Sequence, residues 1–218
     1  TGSSYATMSF ILPVLESAKR TKLSHEPRRM VRASLSNNAR RPLKTSGGGF
    51  GAPNAKRNIK LPYDASCLCG RPQAFDQCCG PYLEGSKSID TPVALMRARY
   101  VAYCLGEVDF IIRTTHPSHE DWRGGTKSSR REWARSLQLY AERYEYTKLE
   151  IVDTSTRDDG VHGEVEFKAS FRRRDLADAD VAHLHHERSH FVRSGMIAPW
   201  MYYRGEILDL EVQKGSLH

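Results

Sequence analysis

The sequence predicts an α+β fold. Helical periodicity fills residues 91–144, period-two alternation takes over after Glu145, and four cysteines crowd into residues 67–79 ahead of both. Three segments are expected: a basic leader or docking arm over residues 1–60, a small zinc knuckle over 61–88, and a domain of helices packed on a curved antiparallel sheet over 89–218. The 218 residues suit one medium domain with an appendage. No run approaches the ~18 uninterrupted apolar residues of a spanning helix, which excludes that class of membrane protein but leaves peripheral association open.

The leader comes first. Residues 1–60 hold 12 Lys and Arg against Glu16 and Glu26, a balance of +10, while residues 61–218 carry −3. The sequence pI of about 9.2 thus belongs to the leader, and a nucleic-acid reading reaches no further than it. A segment rich in Ser, Thr and Arg and free of Asp has the composition of an organellar transit peptide, with a plastid (stromal side) expected and a mitochondrion as the alternative. It lacks the apolar content to fold alone, so the other reading is an extended arm ordered on a partner. Its contact residues would be Arg28, Arg29, Arg32, Arg40, Arg41 and Lys44, facing an acidic protein surface, RNA or anionic lipid headgroups.

Next come Cys67, Cys69, Cys78 and Cys79, spaced Cys-x-Cys, eight residues, Cys-Cys. Two thiolate pairs joined by a tight turn at Gly70 and Pro72 can converge on one tetrahedral ion, and zinc suits four sulfurs. A four-sulfur set has no open position, so such a site is structural, and Arg71 is a candidate counter-charge. Two disulfides are the alternative, although an adjacent Cys78–Cys79 bridge would be strained. The fifth cysteine, Cys104, lies in a helical apolar pattern and is expected to be a core thiol.

In the body, Thr91-Pro92 reads as an N-cap followed by a first-turn proline. Val93, Met96, Tyr100, Tyr103 and Cys104 recur at helical spacing, and Gly106 is the stop. A second short helix is expected over 108–114 and a third over 129–144, with Trp133, Leu137 and Tyr140 on one face. Arg157-Asp158-Asp159-Gly160 reads as a hairpin turn, after which Val161, Gly163, Val165, Phe167, Ala169 and Phe171 share a face. Residues 182–193 and 199–204 repeat the alternation, and Phe191, Trp200 and Tyr202 are expected to close the sheet against the first long helix.

These motifs carry a resemblance. Cys67-x-Cys69-Gly…Cys78-Cys79-Gly80 resembles the SEC-C zinc motif, also found at the tail of the bacterial translocation ATPase SecA. Ala94-Leu95-Met96-Arg97-Ala98-Arg99-Tyr100, Leu105-Gly106-Glu107-Val108-Asp109, Thr115-His116-Pro117, the stretch from His186 to Arg193 and Trp200-Met201-Tyr202-Tyr203 are similar, in order and spacing, to the YchJ-type SEC-C proteins. The resemblance covers about residues 64–206 and implies a cystatin-like cone, as in nuclear-transport-factor-like and SnoaL-like proteins, preceded by a zinc knuckle. Two features depart from it. Arg71-Pro72 stands where the family usually has Ser-Gly, and no second cysteine motif follows.

The resulting expectation is a non-catalytic zinc-bearing scaffold or adaptor, docked on a larger organellar assembly such as a photosynthetic membrane complex or a ribosome. A small-molecule enzyme of the SnoaL-like isomerase or dehydratase type is the alternative, and an export or chaperone adaptor the third. For catalysis the candidates are Arg99, Tyr100, Asp109, His116 and Glu187, but no nucleophile–base–orienter set stands out, so structural roles are expected. A buried Glu187–Arg99 pair would order the cone. His183, His185, His186 and His190 are expected on a solvated strand, and Arg172–Arg174 on a solvated edge.

Overall fold

The computed structural model describes residues 66–174 and 181–214. Four helices are ordered α1 (Gly80–Glu84), α2 (Pro92–Leu105), α3 (Val108–Arg113) and α4 (Lys127–Arg143), followed by four strands: β1 (Tyr144–Thr156), β2 (His162–Arg173), β3 (Val181–Val192) and β4 (Met201–Lys214). The strands form an antiparallel meander in the order β1-β2-β3-β4, as the run of helices followed by alternation implies.

Helix α2 is bounded by the residues that the sequence marks. Thr91 Oγ1 accepts the Ala94 N–H at 3.2 Å, Pro92 occupies the first turn, and Gly106 ends the helix at φ 70°, where a side chain would be strained. Leu95, Met96, Ala98, Tyr100, Val101 and Ala102 are all buried, so α2 is the central element of the core. The third long segment starts earlier than expected, because Thr126 and not a later serine caps α4, accepting the Ser129 N–H at 3.1 Å. Trp133 and Leu137 are its buried residues.

On β2, Gly163, Val165, Phe167 and Ala169 are buried and their neighbours are not. Phe191, Tyr202 and the Trp200 just before β4 complete that inner face. Register shifts in the β1–β2 and β3–β4 pairings bend the sheet around the helices, which gives the expected cone. The Asp159 carboxylate accepts the Val161 and His162 N–H groups in the β1–β2 turn. The last strand was expected to end at 204, yet β4 runs to Lys214, because its register against β3 continues to the Val181↔Lys214 pair.

Gly163 marks a close approach of α2 to the sheet. A Cβ there would run into the Pro92 ring and the Ser155 carbonyl. Gly163→Ala is expected to cost about 1–3 kcal/mol by overpacking. A urea titration showing no shift of the midpoint would mean that the start of α2 yields freely.

Candidate metal centre

The knuckle is built by backbone. Ser66 bridges Ala74, and Cys67 N–H donates to Gln73 O at 2.8 Å, closing a tight loop that carries Cys67 and Cys69. A short 3-10 turn over Phe75–Gln77 then delivers Cys78 and Cys79 to the start of α1. The four sulfurs lie within 4.8 Å of one another, and all four residues are buried.

Cys69 Sγ is 3.6 Å from Cys78 Sγ, and Cys78 Sγ is 4.0 Å from Cys79 Sγ. A tetrahedron with metal–sulfur bonds of about 2.3 Å has edges near 3.8 Å, so this cluster has the size of a four-thiolate metal site. All five cysteines are free, and these separations are nearly twice a disulfide bond of about 2.05 Å. The four cysteines could therefore hold a metal ion.

As free thiols, Cys69, Cys78 and Cys79 hold their protons unequally. Hydrogen bonds from the Cys67 and Cys79 thiols, helped by the Arg71 N–H, hold Cys69 far below the usual thiol range. Burial, then the Cys69 sulfur, pushes Cys78 up to about 12, and hydrogen bonding to Cys67 and Cys69 together with burial drives Cys79 higher still. Cys69 is thus the most readily ionised of these three, and a bound cation would favour the thiolate form of Cys78 and Cys79 as well.

The counter-charge comes from elsewhere than expected. Arg71 is exposed and contributes its backbone N–H, whereas Arg97 on α2 reaches the Cys69 carbonyl at 2.7 Å. Arg113 at the end of α3 donates to Leu83 O at 2.6 Å, which ties α1 to the helical layer. Sequence reasoning missed Arg97. Its only signal was that it is one of two cations, with Arg99, inside an otherwise uncharged helical stretch.

The candidate groups of the cone fall into a second cluster. Glu187 is 0% exposed and takes three hydrogen bonds, from Ser189 Oγ (2.7 Å), His185 Nε2 (2.8 Å) and Tyr202 OH (3.4 Å). The expected direct Glu187–Arg99 pair is replaced. Arg99 donates to Ile111 O, Thr114 Oγ1 and Thr115 Oγ1, and its guanidinium lies 4.6 Å over the Tyr202 ring. Tyr202 thus stands between the two charges, a cation–π contact on one side and a hydrogen bond on the other. The histidines of β3 are half-buried instead of solvated, and three pair with glutamates: His185 with Glu187, His186 with Glu166 and His190 with Glu164. They occur on both faces of the strand, so they form no single metal cluster.

Asp109 is exposed in the first turn of α3, and His116 accepts the Ser118 N–H through Nδ1. Arg172 and Arg174 both pair with Glu145 on β1. Cys104 is half-buried, and burial pushes its thiol up to about 12. The arm residues Arg28, Arg29, Arg32, Arg40, Arg41 and Lys44 lie outside the described residues.

His119 was not anticipated. It is 6% exposed, its Nδ1 accepts the Asp121 N–H, and its Nε2 is buried without a partner. Burial, then the Arg99 charge, pushes its pKa down to about 4. The folded protein therefore keeps His119 neutral where the unfolded chain protonates it, and unfolding takes up a proton between about pH 6.5 and 4. Stability should be full above that window and fall by about 2–3 kcal/mol as pH drops through it. His183 and His190, also lowered by burial, act in the same direction. His119→Phe should flatten the slope of urea midpoints between pH 7 and 4.5. An unchanged slope would move the effect to other groups.

A cone of helices on an antiparallel meander, preceded by a four-cysteine knuckle that could hold a metal ion, defines a small protein of the nuclear-transport-factor-like class. Residues 91–205 match the family described as "YchJ, middle NTF2-like domain". The chain belongs to this YchJ-type SEC-C family. A UPF0225 protein of Streptomyces coelicolor is 34% identical over 147 residues, covering 66% of this chain and 96% of that protein. A UPF0225 protein of Geobacter sulfurreducens is 35% identical, covering 57% and 70%. The solution structure of a SEC-C motif containing protein from Rhodopseudomonas palustris aligns with a TM-score of 0.53 at 33% identity, over 66% of this chain and 100% of that one. The crystal structure of a SEC-C motif containing protein from Psychrobacter arcticus aligns at 0.50 and 25% identity, over 71% and 86%.

Proposed function

We propose that the chain is a non-catalytic adaptor whose knuckle takes one structural zinc ion and which docks on a larger assembly. The observation that carries this reading is the cluster of four buried sulfurs of tetrahedral size. A zinc ion there would supply a crosslink and keep no open position for a substrate. The core supports the same reading, since Leu95, Tyr100, Phe167, Phe191 and Tyr202 all fill the space between α2 and the sheet.

Docking is assigned to residues 1–60, whose +10 balance fits an acidic acceptor. Their Asp-free, Ser- and Arg-rich composition favours an organelle, with a plastid first and a mitochondrion second. Among the described residues no helix is long and apolar enough to cross a membrane. The test is deletion of residues 1–60. Zinc content and the stability of the cone should not change, while co-purification with the assembly should be lost. Retention of the truncated protein at moderate salt would overturn the assignment and place the interface on the knuckle or cone.

One observation favours the enzyme reading instead. His119 lies with its ring centroid 5.5 Å from that of Tyr202 and has a buried, unpartnered Nε2. With Nδ1 accepting the Asp121 N–H, the neutral ring carries its proton on Nε2 and offers the kind of donor a cone-floor isomerase would use to polarise a substrate carbonyl.

A further inference from the structure

The end of the sheet opposite the junction of α4 with β1 holds a cleft of about 450 Å³ that neither the knuckle nor the cone floor explains. Three connections meet there: the β1–β2 turn, the β3–β4 connection and the loop after α3. Arg193 locks two of them together, its backbone N–H donating to Val161 O at 3.0 Å and its Nε to Gly160 O at 2.7 Å. The β4 start is fixed to the third, since His116 N–H donates to Tyr202 O at 2.7 Å and Tyr202 N–H to Thr114 O at 2.8 Å. The walls of the cleft are therefore held by backbone hydrogen bonds before any ligand arrives, which lowers the ordering cost of binding.

Its lining is one-sided in charge. Arg157, Arg193 and Arg204 face His116, His162 and His190, and the single carboxylate among the lining residues is Glu164. That carboxylate is occupied, with His190 Nδ1 at 3.2 Å and Arg157 at 3.8 Å. The Arg204 side chain, by contrast, is exposed and makes no ion pair or hydrogen bond among the described residues. His116 accepts the Ser118 N–H through Nδ1, so its neutral ring carries its proton on Nε2 and is a donor there. His190 has the reverse arrangement, with Nδ1 toward Glu164 and Nε2 buried and unpartnered, so its neutral ring presents an acceptor that a ligand hydroxyl would satisfy. Tyr203 adds an aromatic wall, in edge contact with the His116 ring at 5.5 Å.

We propose that this cleft binds a small phosphate monoester. The guanidinium forks of Arg157 and Arg204 and the His116 Nε2–H, arriving from different directions, suit a tetrahedral oxyanion with several acceptor oxygens, and suit a planar carboxylate less well. The volume admits a small metabolite, and the Tyr203–His116 wall suits an organic group attached to the phosphate. The site goes beyond the zinc adaptor reading and stands without it, because none of its residues touches the cysteine cluster.

The test uses the full chain with its metal, at about 0.15 M salt, where long-range attraction to the basic leader is screened. Inorganic phosphate and phenyl phosphate are titrated while the imidazole resonances are followed by NMR. The signals of His116, His162 and His190 should shift saturably, with a Kd for phenyl phosphate below about 1 mM, while those of His183 and His185 stay in place. Arg157→Gln and Arg204→Gln, both at exposed positions, should each weaken binding about tenfold while leaving zinc content unchanged. No saturable shift up to about 10 mM would overturn the site. Equal binding by both variants would place the anion elsewhere, and acetate binding as tightly as phosphate would overturn the ligand class.

Discussion

Cys69→Ser is expected to empty the metal site completely. Metal content should fall from one ion per chain to none, since three sulfurs and a hydroxyl bind zinc far more weakly than four thiolates. Structural zinc sites in small peptides are worth about 10–16 kcal/mol of apparent binding free energy, so the local consequence is large. It should still be local. The Cys69 carbonyl stays bonded to Arg97 and Leu83 O stays bonded to Arg113, and although Cys69 is buried in the same cluster as Leu95 to Tyr202, serine keeps most of its volume there. Amide exchange should therefore rise across residues 66–85, while the sheet remains protected. A chelator acting on the native protein should reproduce the effect. So should acid, because protons compete with metal for sulfur and affinity falls as pH falls. Native protein purified under reducing conditions and found free of zinc by elemental measurement would refute both the site and the adaptor reading built on it.

Much of this frame was written locally. Thr91, Pro92 and Gly106 bound α2 because a cap hydroxyl, a fixed φ and a left-handed residue act within one turn of their own positions. The Asp159–Gly160 turn and the alternation of β2 are equally local, and so is the cysteine pattern, whose four donors lie within one short stretch of chain. What stayed illegible depends on neighbours distant in sequence. Arg97 meets Cys69 across 28 residues, and nothing near Arg97 announces a carbonyl there. Glu187 and Arg99 were both singled out, but the tyrosine between them was read as a plain core aromatic, because its hydroxyl partner is set only once β4 pairs with β3. His119 sits in a loop without periodicity, so its burial against Trp133 and Tyr202 has no sequence signature. The full length of β4 is a different kind of miss: Leu208-Asp209-Leu210-Glu211-Val212-Gln213 alternates apolar and polar, a local signal that the expected end at 204 overlooked.

Trp200→Ala is expected to cost the cone about 3–5 kcal/mol, the usual range for deleting a buried large aromatic. Trp200 is 2% exposed and acts as a staple, not merely as filler. Its indole N–H donates to Asp90 O at 3.0 Å, which joins the start of β4 to the residue before the α2 cap, 110 positions away. The Arg193 guanidinium lies 4.7 Å over its ring, and the same arginine holds Gly160 O. Removing the ring therefore empties core volume, leaves the Asp90 carbonyl without its donor and frees one face of Arg193. For a domain of this size the loss corresponds to a fall in Tm of roughly 10–15 °C. Trp200→Phe separates the contributions. It keeps most of the apolar contact and the ring under Arg193, so it should cost about 1–2 kcal/mol, mainly the unpaired carbonyl. Thermal and urea unfolding of the two variants decide the matter together. If Trp200→Ala loses less than about 1 kcal/mol, the indole is not part of the core, and the link between β4 and the start of α2 is carried by backbone contacts alone.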